Sequence, residues 1–213
     1  MNKRRLIISI LSVIAGLLFL SFLCMAILVK KNCLLGIDKT ANSIVSSLRN
    51  DTLTEFVKLF THIGSVLFLG LVVVFMFIFM KQPRAKIISV ITLVLAGISC
   101  IVMKYIVQRG RPVGFGLIEE VGYSFPSAHA TLTMVVFGFL IYYISKKRFN
   151  LILKIVVDIL LLALIVLVSL SRVYLGVHFF TDILGAWLLG GMVFILTIIM
   201  YEFAFKKKND EKK

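Results

Sequence analysis

An arginine, a histidine and an aspartate fall within one short stretch of a strongly apolar chain, Ser171-Arg172-Val173-Tyr174-Leu175-Gly176-Val177-His178-Phe179-Phe180-Thr181-Asp182. A separation of four residues puts His178 and Asp182 one helical turn apart on a shared face. There the carboxylate accepts the Nδ1 proton of the imidazole, which fixes the tautomer and leaves Nε2 free as a base or nucleophile. Arg172 is a permanently charged fork suited to an oxyanion such as phosphate. Such groups are costly inside apolar sequence and mark a functional site.

Two further clusters carry matching chemistry. In Lys104-Tyr105-Ile106-Val107-Gln108-Arg109-Gly110-Arg111-Pro112, Arg111 follows Lys104 by two helical turns and faces the same way if the helix continues to Pro112. Arg109 is off that face and reads as a headgroup or solvent contact. In Phe125-Pro126-Ser127-Ala128-His129, Ser127 precedes a helix whose N-terminal amides suit an oxyanion, and His129 can donate a proton to a leaving oxygen. Cations that neutralise phosphate oxygens, one histidine that attacks and another that protonates the leaving group are the equipment of phosphoryl transfer through a histidine nucleophile. This chemistry requires no metal and no cofactor. Glu119 and Glu120 are adjacent and read as solvated loop charges rather than magnesium ligands.

These residues need a frame to bring them together, and composition says what it is. The chain has 213 residues, 60% of them hydrophobic, and a mean hydropathy of +1.04, which define an integral membrane protein. The net charge of +14 lies in short clusters between apolar runs, the pattern that sets membrane topology rather than one that binds nucleic acid. The expected architecture is one all-α domain over residues 1–213, a bundle of six transmembrane helices at about 6–29, 55–80, 87–107, 128–144, 151–170 and 177–205. The first run is too long for a signal-peptide core and reads as an uncleaved span.

Between spans one and two, Ile37, Ala41, Ile44, Val45 and Leu48 recur at helical spacing. They predict a short amphipathic helix over about 38–50, on the membrane surface or covering the bundle mouth, with a solvated connector as the equal alternative. His62, near the start of span two, is either a packing residue or a substrate contact. Cys24, Cys33 and Cys100 show no metal-ligand spacing and read as packing residues. The basic clusters at the N-terminus, after Met80, after Ile144 and at Lys206-Lys207-Lys208 fall on one side, which the positive-inside rule makes the cytoplasm. Both termini are then cytoplasmic, and the three clusters face outward.

The three clusters resemble the tripartite signature of the type 2 phosphatidic acid phosphatase superfamily: K-x6-R-P, then P-S-G-H, then S-R-x5-H-x3-D. Lys104, Arg111 and Pro112 match the first; Pro126, Ser127 and His129 the second; Ser171, Arg172, His178 and Asp182 the third. The chain is similar in particular to small bacterial members of the phosphatidylglycerophosphatase B-like and undecaprenyl pyrophosphate phosphatase kinds. The resemblance implies that His178 is the nucleophile, Asp182 its orienter and His129 the general acid. It also implies that Lys104, Arg111, Ser127, the Ala128 amide and Arg172 bind phosphate.

Ala128 stands where the family usually has glycine. Alanine keeps the amide but disfavours positive φ, so a normal helix start tolerates it and a left-handed turn would not. The expected activity is metal-free cleavage of the terminal phosphate of a membrane lipid, either undecaprenyl pyrophosphate or a phosphatidylglycerophosphate or phosphatidic acid. The expected partners are that lipid and the bilayer. The alternatives are a lipid-phosphate transporter or binding protein, which has no need of the His178–Asp182 pair, and a phosphotransferase.

Overall fold

A computed structural model describes residues 3–148 and 150–205; the expected basic cluster Lys206-Lys207-Lys208 lies outside them. In chain order the elements are α1 (Lys3–Lys30), α2 (Leu35–Ser47), α3 (Asp51–Phe60), a 3₁₀ turn (Thr61–Gly64), α4 (Val66–Phe79), α5 (Pro83–Val107), α6 (Ala128–Ser145), α7 (Leu151–Tyr174) and α8 (Phe180–Ala204). Five of these helices, α1, α5, α6, α7 and α8, are long and apolar enough to cross a bilayer. In lipid every backbone polar group must be satisfied within the segment, and helices do this.

The expected second span is not one continuous helix. α3 with its 3₁₀ turn and α4 qualify as a span only together, and they bend by 48° at Ser65. Ser65 is extended and its hydroxyl accepts the Phe68 N–H at 3.2 Å, so the serine caps a new helix instead of continuing the old one. The ends of the other spans follow local chemistry. Pro83 begins α5, where its missing N–H costs nothing, and the Asn150 side chain caps α7 by accepting the Ile152 N–H at 2.8 Å.

The helices α6 and α8 form the centre. α8 packs against α1, α5 and α6, and α6 also packs against α7 and α5. Their contact is filled by Leu132, Val135, Val136, Phe139, Val193 and Tyr201, with Leu69, Val73 and Ile165 from the surrounding helices. The outer faces of α1, α4, α5 and α7 carry exposed Val, Leu, Ile and Phe, as lipid-facing surfaces do. Cys100 is buried as expected, in a second cluster with Phe22, Phe125 and Leu189, whereas Cys24 and Cys33 are exposed.

The two ends of the bundle differ in kind. At one end Glu202 pairs with Lys146 at 2.9 Å and Arg4 at 3.9 Å, and Arg84 donates to the Ala204 carbonyl. At the other lie α2, the 108–127 loop and the α7–α8 connection. The expected amphipathic segment is a helix, and it turns its apolar side outward. Ile37, Ile44 and Leu48 are exposed, while Asp38 and Asn42 are buried against the bundle. In a membrane, lipid accepts the apolar face and the protein interior takes the polar one.

Candidate active site

The α7–α8 connection carries His178, and its shape depends on Gly176. That residue has φ of +70°, and a Cβ there would lie 2.0 Å from the Phe115 carbonyl oxygen, so only glycine fits. α8 starts at Phe180, so His178 precedes the helix and does not share its face with Asp182 as the spacing suggested. Instead Asp182, in the first turn, reaches back. Its Oδ2 accepts the Phe179 N–H at 2.9 Å and faces His178 Nδ1 at 3.4 Å. The expected pairing therefore forms by a different local route, with Nδ1 donating to the carboxylate. His178 Nε2 lies 3.4 Å from Arg111 Nη1. Burial is the main force that pulls the His178 imidazole down from 6.5 to about 4; Asp182 opposes it, while Arg172 and Arg111 add to it.

Lys104 and Arg111 do meet at this end, but not as two turns of one helix. α5 stops at Val107 because Gln108 adopts a left-handed cap, its N–H bonded to the Lys104 carbonyl at 2.9 Å. The chain then turns away, and Arg111 is presented from the loop. Its guanidinium donates to the carbonyls of Val177 (2.8 Å), Val121 (3.0 Å) and Gly122 (3.0 Å). Lys104 donates to the Tyr123 carbonyl. The loop is tied to the His178 segment by the Leu117 N–H bonding the Leu175 carbonyl at 2.9 Å.

Ser127, fully buried, precedes α6, and its N–H bonds the Asp182 carbonyl at 3.3 Å, which locks the start of α6 to α8. Ala128 is the first residue of α6 and its φ is not positive. The alanine therefore occupies an ordinary helix start, where its amide is one of the free N-terminal donors. His129, in the same turn, is close enough to Arg172, His178, His62 and Arg111 to interact electrostatically with each. His62 itself is exposed.

Arg172 is 1% exposed. Its Nη1 donates to Thr61 Oγ1 at 2.9 Å, and Ser171 donates to the same oxygen at 3.0 Å. Its Nη2 pairs with Glu120, whose other oxygen is 3.7 Å from Arg111 Nη2. Glu119 is exposed, but Glu120 is not the solvated loop charge its sequence position suggested: it is the anion that bridges two of the expected phosphate-binding arginines. Arg172 Nε and Ser127 Oγ are buried without a hydrogen-bond partner among the described residues. Buried donors of this kind are costly unless they serve a ligand. The described residues hold no cluster of three potential metal ligands from His, Cys, Asp and Glu.

Arg109 is the largest correction. It is buried, not a headgroup or solvent contact, and it pairs with Asp182 Oδ1 and Asp38 Oδ2, each at 2.5 Å. Asp38 and Thr61 were also missed. Asp38 had no sequence signal beyond its charge, and nothing local marked its partner 71 residues away.

Cations, two unpartnered buried donors, a helix N-terminus and a histidine backed by a carboxylate meet at one end of the bundle, a combination suited to an oxyanion. Residues 85–206 match the model of the PAP2 superfamily. The chain is 33% identical over 183 residues to phosphatidylglycerophosphatase B of Bacillus subtilis (strain 168), covering 84% of this chain and 90% of that one. It is also 33% identical over 127 residues to the undecaprenyl-diphosphatase of Sulfolobus acidocaldarius, covering 57% of each.

Among solved structures it superposes on the transmembrane PAP2-type phosphatidylglycerolphosphate phosphatase of Bacillus subtilis with a TM-score of 0.82 at 30% identity, over 91% of this chain and 98% of that one. Aquifex aeolicus LpxE shares the fold, with a TM-score of 0.63 at 22% identity over 74% of this chain and 92% of that one. The chain belongs to the PAP2 superfamily. It is a multi-pass membrane enzyme of that lipid phosphatase family.

Proposed function

We propose that the protein hydrolyses the terminal phosphate of a membrane lipid through a phosphohistidine on His178. His178 Nε2 attacks phosphorus, the P–O bond to the lipid breaks, and His129 gives its proton to the departing oxygen. Water then attacks the phosphohistidine, His129 takes the water's proton, and the P–N bond breaks to release inorganic phosphate. Asp182 holds the imidazole with Nε2 forward. Arg172, Arg111, Lys104, Ser127 and the Ala128 amide neutralise the phosphate oxygens. The observation that carries this reading is the pair of buried, unpartnered donors, Arg172 Nε and Ser127 Oγ, beside a carboxylate-bridged pair of arginines.

The relative that spans most of the chain acts on phosphatidylglycerophosphate by its name, and we take that lipid as the first candidate, with undecaprenyl pyrophosphate second. Both present a terminal phosphate on a long apolar body. An apolar groove of about 1010 Å³, lined by Ile44, Val45, Phe56, Leu170, Ser171 and Phe180, runs from beside this site between α2, α3 and α7, and suits the hydrocarbon chain. Among the described residues, Arg4, Arg84 and Lys146 gather around Glu202 and Ala204 at the opposite end of the bundle, which supports cytoplasmic termini and an outward-facing site.

The test is a purified enzyme assayed against a panel of lipid phosphates. His178→Ala should release no phosphate, labelled phosphate should be trapped on the wild type by acid-sensitive linkage to His178, and EDTA should not inhibit. An active His178→Ala variant would overturn the mechanism, and strong inhibition by EDTA would overturn its metal-free form.

A further inference from the structure

Behind the His178–Asp182 pair lies a buried chain of charges that the reaction as described does not use. Asp182 divides its oxygens: Oδ2 faces His178, and Oδ1 accepts from Arg109 Nη1 at 2.5 Å. The same Nη1 donates to Thr181 Oγ1 at 2.8 Å, and Arg109 Nη2 donates to Asp38 Oδ2 at 2.5 Å. Asp38 in turn accepts the Thr181 N–H at 2.9 Å on Oδ1 and the Thr181 hydroxyl at 2.9 Å on Oδ2. The Arg109 guanidinium lies 4.0 Å from the Phe179 ring centroid, which fixes its plane. Asp182, Asp38 and Arg109 are 0%, 1% and 9% exposed, so this network is shielded from solvent.

The α2 segment holds the other end of the same connection. Arg49, just beyond α2, donates twice to the Tyr174 carbonyl, at 3.0 and 2.6 Å. The α2 segment, helix and following turn together, therefore grips the chain before His178 through Arg49 and after it through Asp38. A helix whose polar side is spent in this way is doing more than covering the bundle.

We propose that Arg109 and Asp38 are positioning residues of the phosphoryl-transfer reaction, acting on His178 through Asp182. Arg109 occupies Asp182 Oδ1 and so holds Oδ2 toward the imidazole. Asp38 balances Arg109, and so sets how much of the carboxylate's charge remains for His178. The order imidazole, carboxylate, guanidinium, carboxylate has an electrostatic signature. Removing the cation leaves the full charge of Asp182 on His178 and favours its protonated form. Removing Asp38 leaves Arg109 uncompensated and favours the neutral form. The proposal rests on His178 being the attacking group.

The experiment compares Arg109→Met, Arg109→Lys and Asp38→Asn with wild type in detergent, using kcat, KM and the acidic limb of the pH profile against one lipid phosphate. Substrate ionisation is common to all and cancels. Lys104, Arg111 and Glu120 on α5 and the loop after it, His129 on α6, Arg172 on α7 and His62 in the 3₁₀ turn also bear on this region, and none is altered. We expect kcat to fall about ten- to a hundredfold with KM little changed, the range typical of partners that orient a functional residue from behind.

The acidic limb should move up by about one pH unit in Arg109→Met and down in Asp38→Asn, with Arg109→Lys restoring most of the wild-type position. Shifts of the same sign in the two variants, or none in folded protein, overturn the proposal. If Arg109→Met does not fold, the direction in Asp38→Asn and the rescue by Arg109→Lys decide it. An active His178→Ala control would instead sink the underlying mechanism. An inactive control with unmoved limbs would sink only the positioning role.

Discussion

Replacing Glu120 with glutamine asks whether the loop carboxylate competes with phosphate. Glu120 contacts Arg172 Nη2 and lies 3.7 Å from Arg111 Nη2, so a phosphate bound by both arginines must displace it. At an effective dielectric near 20, unit charges about 4 Å apart attract by about 4 kcal/mol. The Glu120 side chain is 30% exposed, so water screens much of this. Glutamine also keeps one hydrogen-bond acceptor.

A net difference of about 1.4 kcal/mol is a reasonable remainder, and it corresponds to about tenfold in binding. Inorganic phosphate, the expected product, should therefore inhibit Glu120→Gln at about one tenth of the wild-type concentration. The assay is the inhibition constant of phosphate at fixed pH and ionic strength, with the lipid substrate below KM. Higher salt should shrink the difference between the two enzymes. An unchanged or weaker phosphate inhibition would refute the reasoning and make Glu120 a brace that aligns the arginines instead.

Two further outcomes follow from the site. Burial is the main cause that lowers His178 to about 4, and the proposed attack needs the neutral imidazole. Because the value is lowered, the neutral form persists through mildly acidic pH and is lost only as pH falls through about 4. The acidic limb of kcat/KM attributable to the enzyme should lie well below the ordinary imidazole value of 6.5, and a limb at or above that value would contradict it. Ala128→Gly should change kcat/KM by no more than about twofold and lower thermal stability by up to about 1 kcal/mol, since the residue already sits at an ordinary helix start; a large gain in activity would show that alanine strains the site.

The spans were legible because hydropathy reports the solvent around a helix, and five long apolar helices lie within a few residues of their expected limits. The three motifs were legible because each is local and rich in costly polar groups. What escaped was long-range or conformational. The left-handed cap at Gln108 ended α5 before Pro112, and no periodicity announces a single residue of positive φ. Arg109 and Glu120 were assigned to solvent because their partners, Asp38, Asp182 and Arg172, lie 52 to 73 residues away. The helix α2 was legible from its apolar stripe, but a stripe does not say that Asp38 and Asn42 on the other side are buried.

The break in the second span connects these observations. A continuous helix through Ser65 would satisfy its own backbone and offer the site nothing. The break instead places Thr61 where its hydroxyl accepts from both Arg172 and Ser171. It also sets Gly64 so close to α6 and α7 that a Cβ would lie 2.4 Å from Val168 Cγ1 and 3.1 Å from His129 Cδ2. Irregular backbone between apolar helices is tolerated where it is buried in protein, and here Thr61 and Gly64 are both buried. With Arg172 anchored by Thr61, its unpartnered Nε is held at a fixed angle. If Arg172 binds phosphate as proposed, it meets the oxyanion already aligned, and little is lost in ordering it.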